Sequence, residues 1–180
     1  SSSALNVSQL ENLNTSPKGV YFGGTINVTG AIYQGIGANY NEGRNIVLKG
    51  KATIGSSNFT GNISANEWTC KGAQSINGSL YTSGSIQIPA GCELDVDDYS
   101  QSSGTLDIGK NAALKSSGNY INGGTVTSAG IISVSDDSKI TGAHTGGTFK
   151  AKGNVDASAA LKPDVLKFES KLSQSFYNSA

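Results

Sequence analysis

Apolar residues in this chain arrive singly or in alternating pairs, separated by Ser, Thr, Asn and Gly, and seldom gather in runs. Alternation of period two marks strands with one buried face and one wet face. Three windows repeat a single phrase: Ser-Ile-Gln-Ile-Pro-Ala-Gly-Cys-Glu-Leu at 85–94, Thr-Leu-Asp-Ile-Gly-Lys-Asn-Ala-Ala-Leu at 105–114, and Ile-Ile-Ser-Val-Ser-Asp-Asp-Ser-Lys-Ile at 131–140. Each runs apolar, polar, apolar, then a short turn, then an apolar residue six positions after the second of the pair. Gly84, Gly104 and Gly130 precede the windows, where a bend resets the strand. Less regular copies stand at 25–28 and 45–48 upstream and at 148–151 downstream.

Recurrence every ~20 to 26 residues lies in the range of solenoid coils, each of which packs only on its neighbours. A sandwich or barrel also yields alternation, but it does not require the phrase to recur. The pattern therefore predicts an all-β single domain over 1–180, with coils over 17–156 in a β-solenoid. Toward the C-terminus the period changes: Leu161, Val165, Phe168, Leu172 and Phe176 are spaced four, three, four and four apart, the stripe of an amphipathic helix. Pro163 and Asp164 suit a helix start. This predicts a capping helix at about 163–177, within a C-terminal segment of 157–180. Leu5, Leu10 and Leu13 carry a weaker helical pattern for an N-terminal cap over 1–16. Caps have a purpose, since an open coil end exposes apolar core and unpaired backbone.

Composition narrows the function classes. Thirteen basic and thirteen acidic residues give a net charge of +0, and Arg44 is the one arginine, so the clustered basic surface of a nucleic-acid binder is missing. No apolar run approaches the ~20 residues of a membrane-spanning helix. The chain opens Ser1-Ser2-Ser3-Ala4, with no Met, basic n-region or apolar h-region, as expected of an exported chain whose leader has been removed. The implied location is secreted, extracellular or cell-surface. Sequons at Asn6, Asn14, Asn27, Asn58, Asn62 and Asn77 are glycan acceptors only in a eukaryotic secretory pathway.

Cys70 and Cys92 are the only cysteines, and they stand about one coil apart. Neighbouring coils lie ~4.8 Å apart, within the ~4.4 to 6.8 Å between Cα atoms that a disulfide needs. A coil-to-coil bridge is the expectation, with two buried free thiols as the alternative. Two cysteines and one distant histidine make no metal ligand set.

Glu93, Asp95 and Asp97 alternate along one strand, with Asp98 beside them. Three carboxylates on one face can hold Ca²⁺ if other oxygens complete six to eight ligands, or can supply an acid and a base for glycoside hydrolysis. The bland alternative is a solvated outer face, with Leu94 and Val96 turned inward. No other cofactor is indicated. His144, between Ala143 and Thr145 in a Gly/Thr-rich stretch, lacks the nucleophile and orienting partner of a relay and reads as an exposed loop residue. Tyr21, Tyr33, Tyr40, Trp68, Tyr81, Tyr99 and Tyr120 recur through the strand region. They suit either sheet packing or stacking on sugar rings, with Trp68 the first choice for the core.

At Gly104-Thr105-Leu106-Asp107-Ile108, Ile121-Asn122-Gly123-Gly124-Thr125-Val126 and Gly130-Ile131-Ile132-Ser133-Val134, the chain resembles β-helical surface adhesins. These are the filamentous-haemagglutinin-like passengers of bacteria and the β-solenoid heads of fungal wall adhesins, and the resemblance covers roughly residues 84–151. It implies a cell-wall or surface rod that adheres to an extracellular glycan or protein ligand, or to itself, and carries over no site residue. Three functions follow as expectations: a non-enzymatic adhesive or self-assembling structural module, a polysaccharide-active β-helix enzyme, or an ice-binding protein. The last would draw on Thr25, Thr29, Thr125, Thr127, Thr141, Thr145 and Thr148, which form no Thr-x-Thr ladder at a fixed interval.

Overall fold

The computed structural model describes residues 5–7, 10–12, 20–22, 26–28, 32–34, 46–54, 57–60, 63–70, 72–169 and 175–178. All strand pairings among them are parallel. The fold is a parallel β-solenoid of about 5 turns, and the described residues contain no helix.

From residue 73 onward each coil has three strands, giving the rod three faces. The first face stacks 85–88, Thr105–Ile108, Thr125–Ser128, His144–Thr145 and Leu161–Lys162. The second stacks 73–76, 93–96, Ala113–Ser116, Ile131–Val134, Thr148–Ala151 and Val165–Phe168. The third stacks 79–82, 98–101, Tyr120–Asn122, Ser138–Ile140, Val155–Ala157 and Phe176–Asn178.

Side chains then form columns along the rod. Leu94, Leu114, Ile132, Phe149 and Leu166 stack through the second face, in steps of 20, 18, 17 and 17 residues by their numbers. Three of those four steps fall below the expected range of ~20 to 26 residues, although a step of 26 does separate Val20 from Ile46. The third sequence window falls on a different face, since Thr125 and not Ile131 stacks on Thr105. Ile131 stacks on Ala113, not on Thr105, so 131–140 occupies the second and third faces while 105–114 occupies the first and second.

The inward positions make a narrow core. Ile86, Leu94, Leu106, Leu114, Val126, Ile132 and Phe149 are all 0% exposed, each contributing about 1.5–3 kcal/mol by leaving water. Inside the third face Tyr99 stacks on Tyr120 with ring centroids 5.4 Å apart, and Tyr120 meets the edge of Phe149 at 5.7 Å. Gln101 ties neighbouring coils together inside this core. Gln101 Oε1 accepts from Tyr99 Oη at 3.0 Å and from Asn122 Nδ2 at 2.9 Å, while Gln101 Nε2 donates to Gly84 O at 3.2 Å. Corners are tight: Gly104 has φ +87°, and a Cβ there would collide with the Gly84 carbonyl, so only glycine fits.

The expected C-terminal capping helix is not found. Val165–Phe168 is a strand paired to Thr148–Ala151, and Phe176–Asn178 is another paired to Val155–Ala157. The four-three spacing of apolar residues instead spreads Leu161, Val165 and Phe176 over the three faces of one coil. Residues 170–174, which include Leu172 of the stripe, lie outside the described residues. In the expected N-terminal cap, Leu5–Val7 and Leu10–Asn12 are strands, and Leu13 lies outside the described residues.

Candidate functional site

The second face carries the charged groups that the acidic run pointed to. Since Leu94 and Val96 point inward, Glu93 and Asp95 point outward, one coil below Ala113 and Lys115. Lys115 Nζ lies 2.7 Å from Glu93 Oε1 and 4.0 Å from Asp95 Oδ1, all three side chains being about half exposed at 47%, 40% and 44%. Burial raises the Asp95 carboxyl above the ordinary carboxylate range, opposed by the Lys115 ammonium and assisted by the charge and hydrogen bond of Glu93. The bond to Glu93 raises Lys115 in turn. Asp97 is turned aside, its Oδ1 accepting from Ser117 Oγ at 3.3 Å. Asp98 accepts from Ser79 Oγ at 3.2 Å and from the Asn119 backbone N–H at 2.8 Å.

Glu93, Asp95 and Asp97, the residues expected for Ca²⁺, therefore divide between a lysine and a serine. Among the described residues no group of three or more His, Cys, Asp or Glu side chains is arranged to hold a metal ion. An open groove of about 430 Å³ runs across the coils here, lined by Asp95, Asp97, Lys115, Ser117, Ser135 and Lys152 among others.

Two outward columns continue beyond the acidic coil. The middle column reads Ser75, Asp95, Lys115, Ser133, Lys150, Lys167. Beside it run Asp97, Ser117, Ser135, Lys152 and Glu169, linked by the backbone bonds Ser117 N to Val96 O, Ser135 N to Ser116 O, Lys152 N to Val134 O and Glu169 N to Ala151 O. Glu93, Asp95 and Asp97 mark one end of the face and Lys150, Lys152 and Lys167 the other, where Glu169 Oε1 lies 3.9 Å from Lys150 Nζ. The lysines escaped the sequence reading because unequal coil steps hid their alignment. The usable signal was a lysine between two inward residues in Leu114-Lys115-Ser116, Phe149-Lys150-Ala151 and Leu166-Lys167-Phe168.

The expected Cys70–Cys92 bridge is not formed; both are free thiols. The register sets Glu93 opposite Ala73, so Cys92 stands beside Gly72, two residues beyond Cys70. Cys70 Sγ donates to Gly72 O at 3.4 Å and Glu93 O at 3.5 Å, while Cys92 Sγ accepts the Gly72 N–H at 3.2 Å. Burial, with the neighbouring Cys92 adding to it, pushes the Cys70 thiol up to about 12.

His144 is not an exposed loop residue. It lies on the strand His144–Thr145, 0% exposed, its ring against the Phe149 edge at 5.5 Å with neither nitrogen hydrogen-bonded. Burial lowers the imidazole to about 4, with a smaller opposing pull from the Gly146 backbone. Trp68 is a core residue, 3% exposed, its Nε1 donating to Gln74 Oε1 at 3.0 Å. Tyr99 and Tyr120 are also core, whereas Tyr81 is 45% exposed. Tyr21 and Tyr33 lie on strands, and Tyr40 lies outside the described residues.

Of the sequons, Asn77 is exposed on its strand. Asn6, Asn27 and Asn58 lie on strands, and Asn14 and Asn62 are outside the described residues. Thr127 stacks on Thr145, but the same column continues into Asp107 on one side and Lys162 on the other, which breaks a flat Thr surface. Thr25 and Thr29 lie outside the described residues.

At the last described coil the three strands Leu161–Lys162, Val165–Phe168 and Phe176–Asn178 each pair on one side only among the described residues. Val165, Phe168, Phe176 and Tyr177 are 42%, 44%, 45% and 65% exposed, and the Phe168 and Phe176 rings meet at 5.7 Å. No described helix is long and apolar enough to cross a membrane. Comparison with family models, curated proteins and solved structures returned no match.

Proposed function

We propose that this chain is a non-enzymatic structural module of an extracellular surface, a rod that assembles by stacking another coil on the edge formed by Leu161–Lys162, Val165–Phe168 and Phe176–Asn178. The observation that carries the reading is the group of four exposed apolar side chains, Val165, Phe168, Phe176 and Tyr177, on strands that among the described residues pair on one side only. Unpaired N–H and C=O groups accept an incoming strand, and apolar neighbours supply the adhesive surface. Sedimentation across a concentration series tests it. The wild-type chain should grow into larger species, and the Phe168→Lys, Phe176→Lys variant should lose them while keeping its β signal.

A second reading, a polysaccharide-active enzyme, draws on the adjacent Glu93 and Asp95 carboxyls, the latter raised by burial beside an open groove. It predicts product release from a polysaccharide panel that disappears in Asp95→Asn. Release that survives the substitution, or none at all, removes it.

A further inference from the structure

We infer that the second face is a docking surface for a second copy of this chain, laid antiparallel across it. This uses the side of the rod and is independent of stacking at the Phe168 edge. The outward columns of this face are complementary to their own reversed copies.

Numbered from the coil of Ser75, the middle column is Ser75, Asp95, Lys115, Ser133, Lys150, Lys167. A two-fold axis lying along the strand direction, between the coils of Lys115 and Ser133, reverses the rod but keeps each column facing its own copy. Asp95 then meets Lys150 of the second copy, Lys115 meets Ser133, and Ser75 meets Lys167. In the neighbouring column Asp97 meets Lys152, and Ser117 meets Ser135. In the third outward column of this face, Ala113 meets Ile131 beside the axis and Glu93 meets Thr148, with Ile131 36% exposed. Every contact occurs twice, as an isologous interface requires, and no position opposes two like charges.

The groove of about 430 Å³ crosses this axis, its lining running from Ser75 and Asn77 past Asp97 and Ser117 to Ser135 and Lys152 on the other side. Lys152 and Asp97 are exposed and take part in no salt bridge among the described residues. Five coil intervals of ~4.8 Å by five residues of ~3.3 Å give a patch of roughly 400 Å² per partner. That is about half the usual area per side. The pair is accordingly weak and salt-dependent, its register set by charge and not by apolar burial.

The test is sedimentation equilibrium at low salt on the full chain carrying the Phe168→Lys, Phe176→Lys edge substitutions, so that end stacking does not contribute. The expected result is a species that stops at dimer and weakens at least about tenfold as salt rises from ~20 mM to ~500 mM. Asp97→Lys alone and Lys152→Glu alone should each remain monomeric, because each places like charges at two contacts. An equimolar mixture of those two variants should dimerise, because both contacts are then of opposite sign. A monomer at every concentration at low salt, a dimer indifferent to salt, or single variants that pair as well as their mixture would overturn the inference. Loss of end stacking in the edge variant leaves each of these outcomes unchanged.

Discussion

Buried polar residues set how this rod responds to its surroundings. His144 sits in an apolar column with Val126 on one side and Leu161 on the other, so charging it in the folded state is unfavourable. Its folded value of about 4 lies below the ordinary 6.5. The unfolded chain thus takes up the proton first, and stability falls as pH drops from about 6.5 toward 4 and levels off below that. The shift corresponds to about 3 kcal/mol in all. Urea unfolding at several pH values should show this slope, and His144→Leu should flatten it. Asp95, whose carboxyl is raised, acts with the opposite sign, so the comparison between wild type and variant isolates the histidine. An unchanged slope in His144→Leu would remove this assignment.

The thiols separate in the same way. Cys70 is 0% exposed and its thiol is pushed up to about 12, whereas Cys92 is only partly buried in the turn after Pro89. A thiol reagent should modify Cys92 in the native protein and Cys70 only on unfolding, since the thiolate is the reactive form. Equal rates for both cysteines would contradict the burial of Cys70.

At the scale of the element, period-two alternation made the strands legible and coil stacking followed from the recurring phrase. The 85–94 and 105–114 windows do stack at a step of 20, with Gly84 and Gly104 at the same corner. The window at 131–140 misled because Ile131 lies six residues beyond Thr125, the residue that stacks on Thr105. The same phrase there starts one face later. The C-terminal stripe misled for a related reason. In a three-faced coil of 17 residues, short strands and corners return apolar residues every three or four positions, which is also the spacing of a helix face. Parallel pairing of Leu166 on Phe149 decides between the two.

The columns were not legible, because a column is defined across coils and the sequence shows only spacing along the chain. Cross-linking tests the register directly. In a Cys70→Ala, Cys92→Ala background, the Lys115→Cys, Ser133→Cys pair lies on adjacent strands and should close a disulfide on oxidation. The Asp107→Cys, Ser133→Cys pair, which alignment of the sequence windows would place together, should not. The reverse outcome would restore the window alignment and dissolve the charged columns.

For the whole molecule, each coil of a solenoid gains stability from the coil before it and presents a pairing surface to the next. Among the described residues no coil pairs beyond the edge at Val165–Phe168, where apolar groups are exposed. Sedimentation velocity of the wild-type chain beside the Phe168→Lys, Phe176→Lys variant, over a common concentration range at high salt, tests assembly at this edge most directly. High salt suppresses the lateral charge contacts and leaves apolar stacking intact. The expected result is a wild-type distribution that moves steadily to larger species with concentration while the variant does not. A strictly monomeric wild type at the highest concentration, or a variant that grows as the wild type does, would contradict assembly through the open coil.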